Sequence, residues 1–486
     1  MAAVMTVLPS ACAVGPDFHT PEAPAVQRYT PAPLPGATEA TLPQGESQGE
    51  AQRFVEGGEI PAQWWTLFGS QKLEQLIRQA LAQSPTLAAA QAALRQAEQI
   101  RRAESGSGLP DLDAGLSVER RKFTGASFGQ PGGPGGLFTL YNASVSVSYG
   151  LDPFGQVRRR VESSQAQIDY QRFLLEGSRL TLASNIVTTV IQECSLRERI
   201  KATAAMIAAQ EEQLRLVRLR MELGGAIRSE VLAQQAQLAQ TRTTLPPLEK
   251  ELALTRHRLA VLAGRPPSEA AALPEFELQE LKLPLELPVS LPSELVRQRP
   301  DIRASEELLH QSSAEVGVAT ASLYPRLTIT GDFGSQSSAP EKLFSAGTGI
   351  WSIGAGVLQP VFRGGELRAR RDAAVAAYSQ AEALYRETVL NAFQNVADVL
   401  KSLEFDARAL KAQAEAEQAA LSSLEVALTQ YRVGAVNHLT LLDAQRQHQQ
   451  ARIALAQAKA ARFADSAALF QALGGGWWQE KGDLHP

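Results

Sequence analysis

The 486-residue chain has only two cysteines, Cys12 and Cys194, too few for a disulfide framework or a thiolate zinc site. Its six histidines include no HExxH, and no GxxxxGK[ST] phosphate loop occurs, which excludes a zincin metalloprotease and a P-loop ATPase. No run approaches the ~18 apolar residues of a transmembrane helix. Neither charge dominates: 47 Lys+Arg against 51 Asp+Glu leave a net charge of −4, without the basic face that nucleic acid requires. Proline is absent from 155–223, and Gly177 is the one glycine inside that stretch. What remains is an Ala-, Leu- and Gln-rich chain with no catalytic equipment, so no cofactor, metal or nucleic-acid partner is expected.

Along the chain, residues 1–11 read as the remnant of a secretory signal. Leu8-Pro9-Ser10-Ala11-Cys12 has the outline of a bacterial lipobox, which would lipidate Cys12; a chance cysteine is the alternative. Residues 12–62, rich in Pro, Gly, Glu and Gln, read as an extended strap. From Trp64 a helical stripe of Leu73, Leu76, Ile77, Ala80 and Leu81 runs on to about Glu104. Tyr141, Ala143, Val145, Val147 and Tyr149 then alternate with Asn142, Ser144, Ser146 and Ser148, a strand with one apolar and one small polar face. Strands are expected at about 112–122 and 139–150, joined by a loop holding Gly132-Gly133-Pro134-Gly135-Gly136. A helix over 155–223 would be on the order of 100 Å long. Gly224-Gly225 turns it into a return helix over 226–263, and such a pair implies coiled-coil packing.

The pattern then repeats. A helix over Ser293–Tyr324 leads to strands at about 327–335 and 350–358, a long helix over 364–433 and a return helix over 436–473. Gln359-Pro360-Val361-Phe362 answers Asp152-Pro153-Phe154, and Val433-Gly434-Ala435 answers Leu223-Gly224-Gly225. The chain is a tandem duplication, with a first repeat over 63–290, a second over 291–476 and a tail over 477–486. Four alternating strands cannot close a membrane barrel, because open edges are not tolerated in hydrocarbon and single-chain barrels start at about eight strands. Several copies must therefore combine. A soluble hairpin with one wet face is the competing reading of each strand pair.

Six separated blocks carry a family resemblance. They are Cys12-Ala13-Val14-Gly15-Pro16-Asp17-Phe18, Asp152-Pro153-Phe154-Gly155, Arg299-Pro300-Asp301-Ile302-Arg303, Tyr431-Arg432-Val433-Gly434, Leu439-Thr440-Leu441-Leu442-Asp443 and Gly474-Gly475-Gly476-Trp477. In this order, from Cys12 to Trp477, they resemble the lipoprotein (OprM-like, NodT-type) branch of the TolC-like outer-membrane efflux channels. The resemblance implies a mixed, mainly α fold: a homotrimer with a twelve-strand outer-membrane barrel on a twelve-helix periplasmic tunnel. It also implies a covalent lipid on Cys12, contact with outer-membrane lipid, a periplasmic adaptor and an inner-membrane resistance-nodulation-division pump. The pump would supply the energy, which suits a passive exit duct and no enzyme. A duct for a protein-secretion exporter and a non-conducting envelope scaffold are the rivals.

Candidate site residues lie at the two helical turns. Gly224, Gly225, Val433, Gly434 and Ala435 are the candidate adaptor contacts by that resemblance; otherwise they only make the turns. Leu439 and Asp443 share a helix face. The resemblance makes them a periplasmic gate, a leucine ring beside a carboxylate ring; the alternative is that Asp443 pairs with Arg446 or Gln447 on a solvated face. The first repeat has Ala233 in place of Asp443. Gly125-Ala126-Ser127-Phe128-Gly129 matches the GxSxG pattern, but its Gly/Pro-rich sequel cannot start the helix that a nucleophile elbow needs. His438 and His448, ten residues apart, make a poor metal pair, and Cys194 reads as a small buried hydrophobe.

Overall fold

The computed structural model describes residues 13–41, 49–129 and 135–479. Cys12, Gly132, Gly133, Pro134 and residues 480–486 lie outside them. The chain is mainly helical and divides into two compact units that cut across the sequence repeats. One comprises 1–21, 93–172 and 304–386; the other comprises 22–92, 173–303 and 387–486.

The first unit holds a four-stranded antiparallel sheet whose strands neighbour one another in chain order. Its strands are β2 (Asp111–Phe123), β3 (Gly136–Leu151), β5 (Arg326–Ser337) and β6 (Gly349–Leu358). The register sets Leu112 opposite Val147, Val145 opposite Phe333 and Phe333 opposite Trp351. Residues directly opposite share a face, so the apolar alternation of all four strands lines one exposed surface, with Leu116, Phe333, Trp351 and Ile353 among its side chains.

The same unit clamps the beginning of the described chain. Val14 donates its amide to the Phe154 carbonyl at 3.1 Å. Arg159, buried, reaches Asp17 at 2.7 Å and Glu162 at 2.8 Å. Phe18 stacks on His310 with centroids 4.4 Å apart, and the imidazole lies between Glu162 at 3.1 Å and Glu307 at 3.3 Å. Gly15, at φ +102°, passes so close to Gly317 that a Cβ on it would lie 2.5 Å from the Gly317 Cα. Only glycine fits there.

The second unit contains two helical turns and the joint between the repeats. Helix α3 (Gln156–Glu222) and helix α8 (Glu366–Arg432) each run 67 residues and enter this unit at Phe173 and Glu387. The return of the second repeat is one helix, α9 (His438–Ala472). That of the first, expected as one helix over 226–263, is two: α4 (Arg228–Thr243) and α5 (Leu245–Leu262). Pro246 and Pro247 have no N–H to give the preceding turn, but they suit the first positions of a new helix. Two other expected helices divide for the same reason. The stripe from Trp64 is a 3-10 turn followed by α1 (Gln71–Gln83) and α2 (Pro85–Gly106). The helix expected over Ser293–Tyr324 is α6 (Pro292–Gln298) and α7 (Pro300–Ala321). Ser84 and Arg299, each before a proline, are extended with ψ 120° and 127°, as proline requires of its predecessor.

The expected strap is more ordered than its composition suggests. Strand β1 (Arg53–Glu56) pairs parallel with β4 (Glu286–Val289) at the end of the first repeat. Gln52, fully buried, gives its amide nitrogen to the Pro284 carbonyl at 2.8 Å and the Ser466 hydroxyl at 2.9 Å. Its own oxygen accepts from Arg462 at 3.0 Å. Arg462, 1% exposed, also donates to Thr38 and the Glu50 carbonyl; burial lowers its guanidinium to about 10.

The blocks that bear the resemblance meet here as well. Arg299 caps α9 through the Ala472 carbonyl at 2.8 Å and pairs with Asp301 at 2.6 Å, while the Trp477 indole donates to the Gln298 carbonyl at 2.7 Å. Trp64 stacks on Phe470 at 5.4 Å.

Candidate functional site

Both long helices end in the same motif. Gly224, at φ +76°, follows α3; its amide bonds the Met221 carbonyl at 3.0 Å and the Gly225 amide reaches back to Arg220 at 2.7 Å. Gly434, at φ +75°, follows α8; its amide bonds Tyr431 at 3.1 Å and the Ala435 amide reaches Gln430 at 2.8 Å. These are left-handed helix ends that satisfy the last carbonyls. A Cβ on either Gly224 or Gly434 would meet nothing within 4 Å, so the backbone at both turns is open to a partner, and Leu223 and Val433 beside them are exposed.

Small apolar clusters hold each turn to its return helix: Leu214, Val217, Val231 and Leu238 in the first repeat, Ala427, Tyr431, Leu441 and Ala444 in the second. The two turns are also tied together. The Tyr431 hydroxyl donates to Glu230 on α4 at 3.1 Å, and the Arg220 guanidinium lies 4.9 Å above the same ring. Burial, with the Glu230 carboxylate, pushes the Tyr431 phenol up to about 12. His438 packs 5.2 Å from Tyr431, is 4% exposed and finds no partner for either ring nitrogen among the described residues. Burial lowers its pKa, so the ring stays neutral.

Leu439 and Asp443 lie on one face of α9. Leu439 is 68% exposed. Asp443 accepts from Arg446 through one oxygen and from Gln447 at 2.8 Å through the other, the pairing that the solvated-face alternative describes. Asn437 caps α9 by accepting the Thr440 amide at 3.0 Å. His448 is packed and faces Glu417 at 3.3 Å. Cys194 is buried, which pushes its thiol up. Gly125–Phe128 is a 3-10 turn between β2 and β3, not the strand-turn-helix of a nucleophile elbow.

Sequence reasoning did not find Arg220 and Glu230, which bind the turns across the repeats. Their signal was faint: a tyrosine one helical turn before Gly434, and a glutamate shortly after Gly225.

The chain matches the family described as outer membrane efflux protein over residues 76–265 and 291–475. It is 32% identical over 460 residues to the pyoverdine export outer membrane protein OpmQ of Pseudomonas aeruginosa, covering 92% of this chain and 95% of that protein. It is 28% identical over 488 residues to the toluene efflux pump outer membrane protein TtgC of Pseudomonas putida, covering 99% and 96%. Among solved structures it is similar to the outer-membrane channel OprN, with TM-score 0.85 and 29% identity over 96% of this chain and 100% of that one. The open-state outer membrane channel MtrE of Neisseria gonorrhoeae gives TM-score 0.81 and 25% identity over 96% and 99%.

Proposed function

Because the chain belongs to the outer membrane efflux protein family, we propose that it acts as the passive exit duct of a tripartite efflux system, three copies closing a barrel that one copy leaves open. Its place is the outer membrane, with the channel extending into the periplasm. The observation that carries the reading is the open-edged sheet of four strands with a continuous exposed apolar face. Such a sheet is stable in hydrocarbon only when its edges are closed.

A periplasmic adaptor would dock on the open backbone around Gly224, Gly225, Val433, Gly434 and Ala435, and a resistance-nodulation-division pump would supply energy. The relatives named above export pyoverdine and toluene, so the cargo falls among small organic molecules, with selection at the pump. A lipid on Cys12 would add to an anchor that the barrel provides, since one acyl chain alone binds membranes weakly. The clamp on Val14, Asp17 and Phe18 would hold that lipid beside the start of α3.

A resting duct has to be shut. Three copies of Asp443 near one axis repel one another and attract cations, the Arg446 partner moderates that charge, and Leu439 adds an apolar constriction. The Tyr431–Glu230 and Arg220–Tyr431 contacts would hold the turns in the shut arrangement. Single-channel recording in planar bilayers tests the whole reading. Wild type should give small, cation-preferring steps, and Leu439→Ala with Asp443→Ala should give larger, less selective ones. No conductance in any variant would leave a scaffold; identical channels would move the gate elsewhere.

A further inference from the structure

The sheet ends in two open edges: among the described residues β2 pairs with β3 alone and β6 with β5 alone. We propose that β6 of one copy pairs antiparallel with β2 of the next in one register, Val357 opposite Ala114 and Ile353 opposite Val118, and that Phe362 packs on Leu109 of that next copy. The inference rests on the trimeric barrel proposed above and specifies how its copies join.

The internal repeat supplies the template. Leu109-Pro110 corresponds to Tyr324-Pro325, which sets Leu112, Ala114, Leu116 and Val118 on Leu327, Ile329, Gly331 and Phe333. Phe154 corresponds to Phe362, which sets Val145, Val147 and Tyr149 on Ile353, Ala355 and Val357. Matching Pro153 to Pro360 instead would place Tyr149 on Gly356 and turn every β6 side chain to the wrong face. The β5·β6 ladder excludes that, because it sets Val357 opposite Leu327 and Trp351 opposite Phe333.

Inside one chain β3 already pairs with β5, with Tyr149 opposite Ile329, Val147 opposite Gly331 and Val145 opposite Phe333. At the corner, Phe154 stacks on Tyr324 with centroids 4.7 Å apart. Carried to the equivalent residues, this ladder becomes Val357 with Ala114, Ala355 with Leu116 and Ile353 with Val118. The corner becomes Phe362 on Leu109. These two are unsatisfied within one copy: Phe362 is 87% exposed and Leu109 65%.

The resulting seam is chemically coherent. Its apolar row alternates large and small, and its next pair sets Trp351 against Arg120, a ring beside a guanidinium. The opposite face pairs Gly354 with Ser117 and Ser352 with Glu119, all compatible with water. A one-residue slip would set Val357 against Asp113 or Gly115 and mix the faces. With the proposed register each copy climbs about six residues along the strand, which tilts twelve strands by roughly 45°, at the upper end of the membrane-barrel range. Two-residue slips keep the faces matched, so experiment must separate them.

The test uses full-length protein in outer-membrane fractions under mild oxidation. Ala114→Cys with Val357→Cys is compared with Leu112→Cys/Val357→Cys and Leu116→Cys/Val357→Cys, and Val357→Cys alone is the background. Directly opposite Cβ atoms lie ~4.5–5.5 Å apart and diagonal ones ~7–8 Å, while a disulfide needs ~3.5–4.5 Å. The in-register pair should give covalent dimers and trimers on a non-reducing gel at least tenfold faster than either slipped pair. Phe362→Cys with Leu109→Cys should give the same ladder. Preferential cross-linking of a slipped pair overturns the register but leaves the trimer standing, as does a trimeric mass without cross-links. A monodisperse monomer in mild detergent, with no cross-link in any pair, overturns the trimeric barrel itself.

Discussion

Gln52→Ala perturbs the strap at its best-connected residue. The change removes the bonds to the Pro284 carbonyl and Ser466 hydroxyl and takes one acceptor from the buried Arg462. Two neutral hydrogen bonds contribute about 1 kcal/mol each and a charge-assisted one about 1.5–3 kcal/mol. The strap should therefore be held about 3.5–5 kcal/mol less tightly. At ~1.4 kcal/mol per tenfold, the open population rises roughly three-hundredfold to several thousandfold. Trypsin cutting after Arg53, next in sequence and paired through β1 to β4, reports that population when closing outpaces cleavage. Cleavage after Arg53 should accelerate at least a hundredfold in the variant, with cleavage in the sheet loops unchanged. A rate within threefold of wild type would mean that the three bonds do not hold the strap, and the reasoning would be wrong.

Other expectations follow from the same contacts. His310 has its pKa raised above 6.5, first by Glu307 and then by Glu162 against the opposing effect of burial. Its hold on Phe18 should be fully present below the unfolded pKa and lost as pH rises through the folded value, so the protection factors of residues 14–18, corrected for the intrinsic rise of amide exchange with pH, should be larger at pH 5.5 than at pH 8.5; equal protection factors would refute this. Gly15→Ala places a Cβ against the Gly317 backbone in a left-handed conformation and should release the same segment at a cost of about 2 kcal/mol, read by the Val14 amide. Tyr431→Phe removes the bond to Glu230 and should lengthen open times in single-channel records; unchanged dwell times would take the tyrosine out of the closed state. Arg446→Ala leaves Asp443 without its cationic partner and should raise cation preference, opposite in sign to Asp443→Ala.

Much of this fold is legible in the sequence, because its signals are local and repeated. Period-two alternation in β3, a proline-free stretch for α3 and paired glycine turns each need only a few neighbours to be read. The divisions of three helices were missed, although prolines mark them. Ser84-Pro85, Thr244-Leu245-Pro246-Pro247 and Arg299-Pro300 put proline where a helix starts, and a long apolar stripe obscures that signal. Strand β1 was not legible: four residues between 52 and 57 acquire a partner more than two hundred residues away, with no turn to announce it. Nor was the buried set of Gln52, Ser466 and Arg462, since polar residues on a strap or helix read as solvated until the third dimension brings them together. At the turns the glycines were plain, while the Arg220–Tyr431–Glu230 tie depends on the packing of one repeat against the other.

The parallel pairing of β1 with β4 also has a consequence in time. A bacterial chain is delivered across the inner membrane amino end first, so residues 53–56 arrive long before 286–289, and Gln52 arrives before Ser466 by most of the chain's length. Contacts so far apart in sequence form late. The earliest part to emerge is therefore among the last to settle, and until then its Pro-rich length is accessible to periplasmic chaperones and proteases.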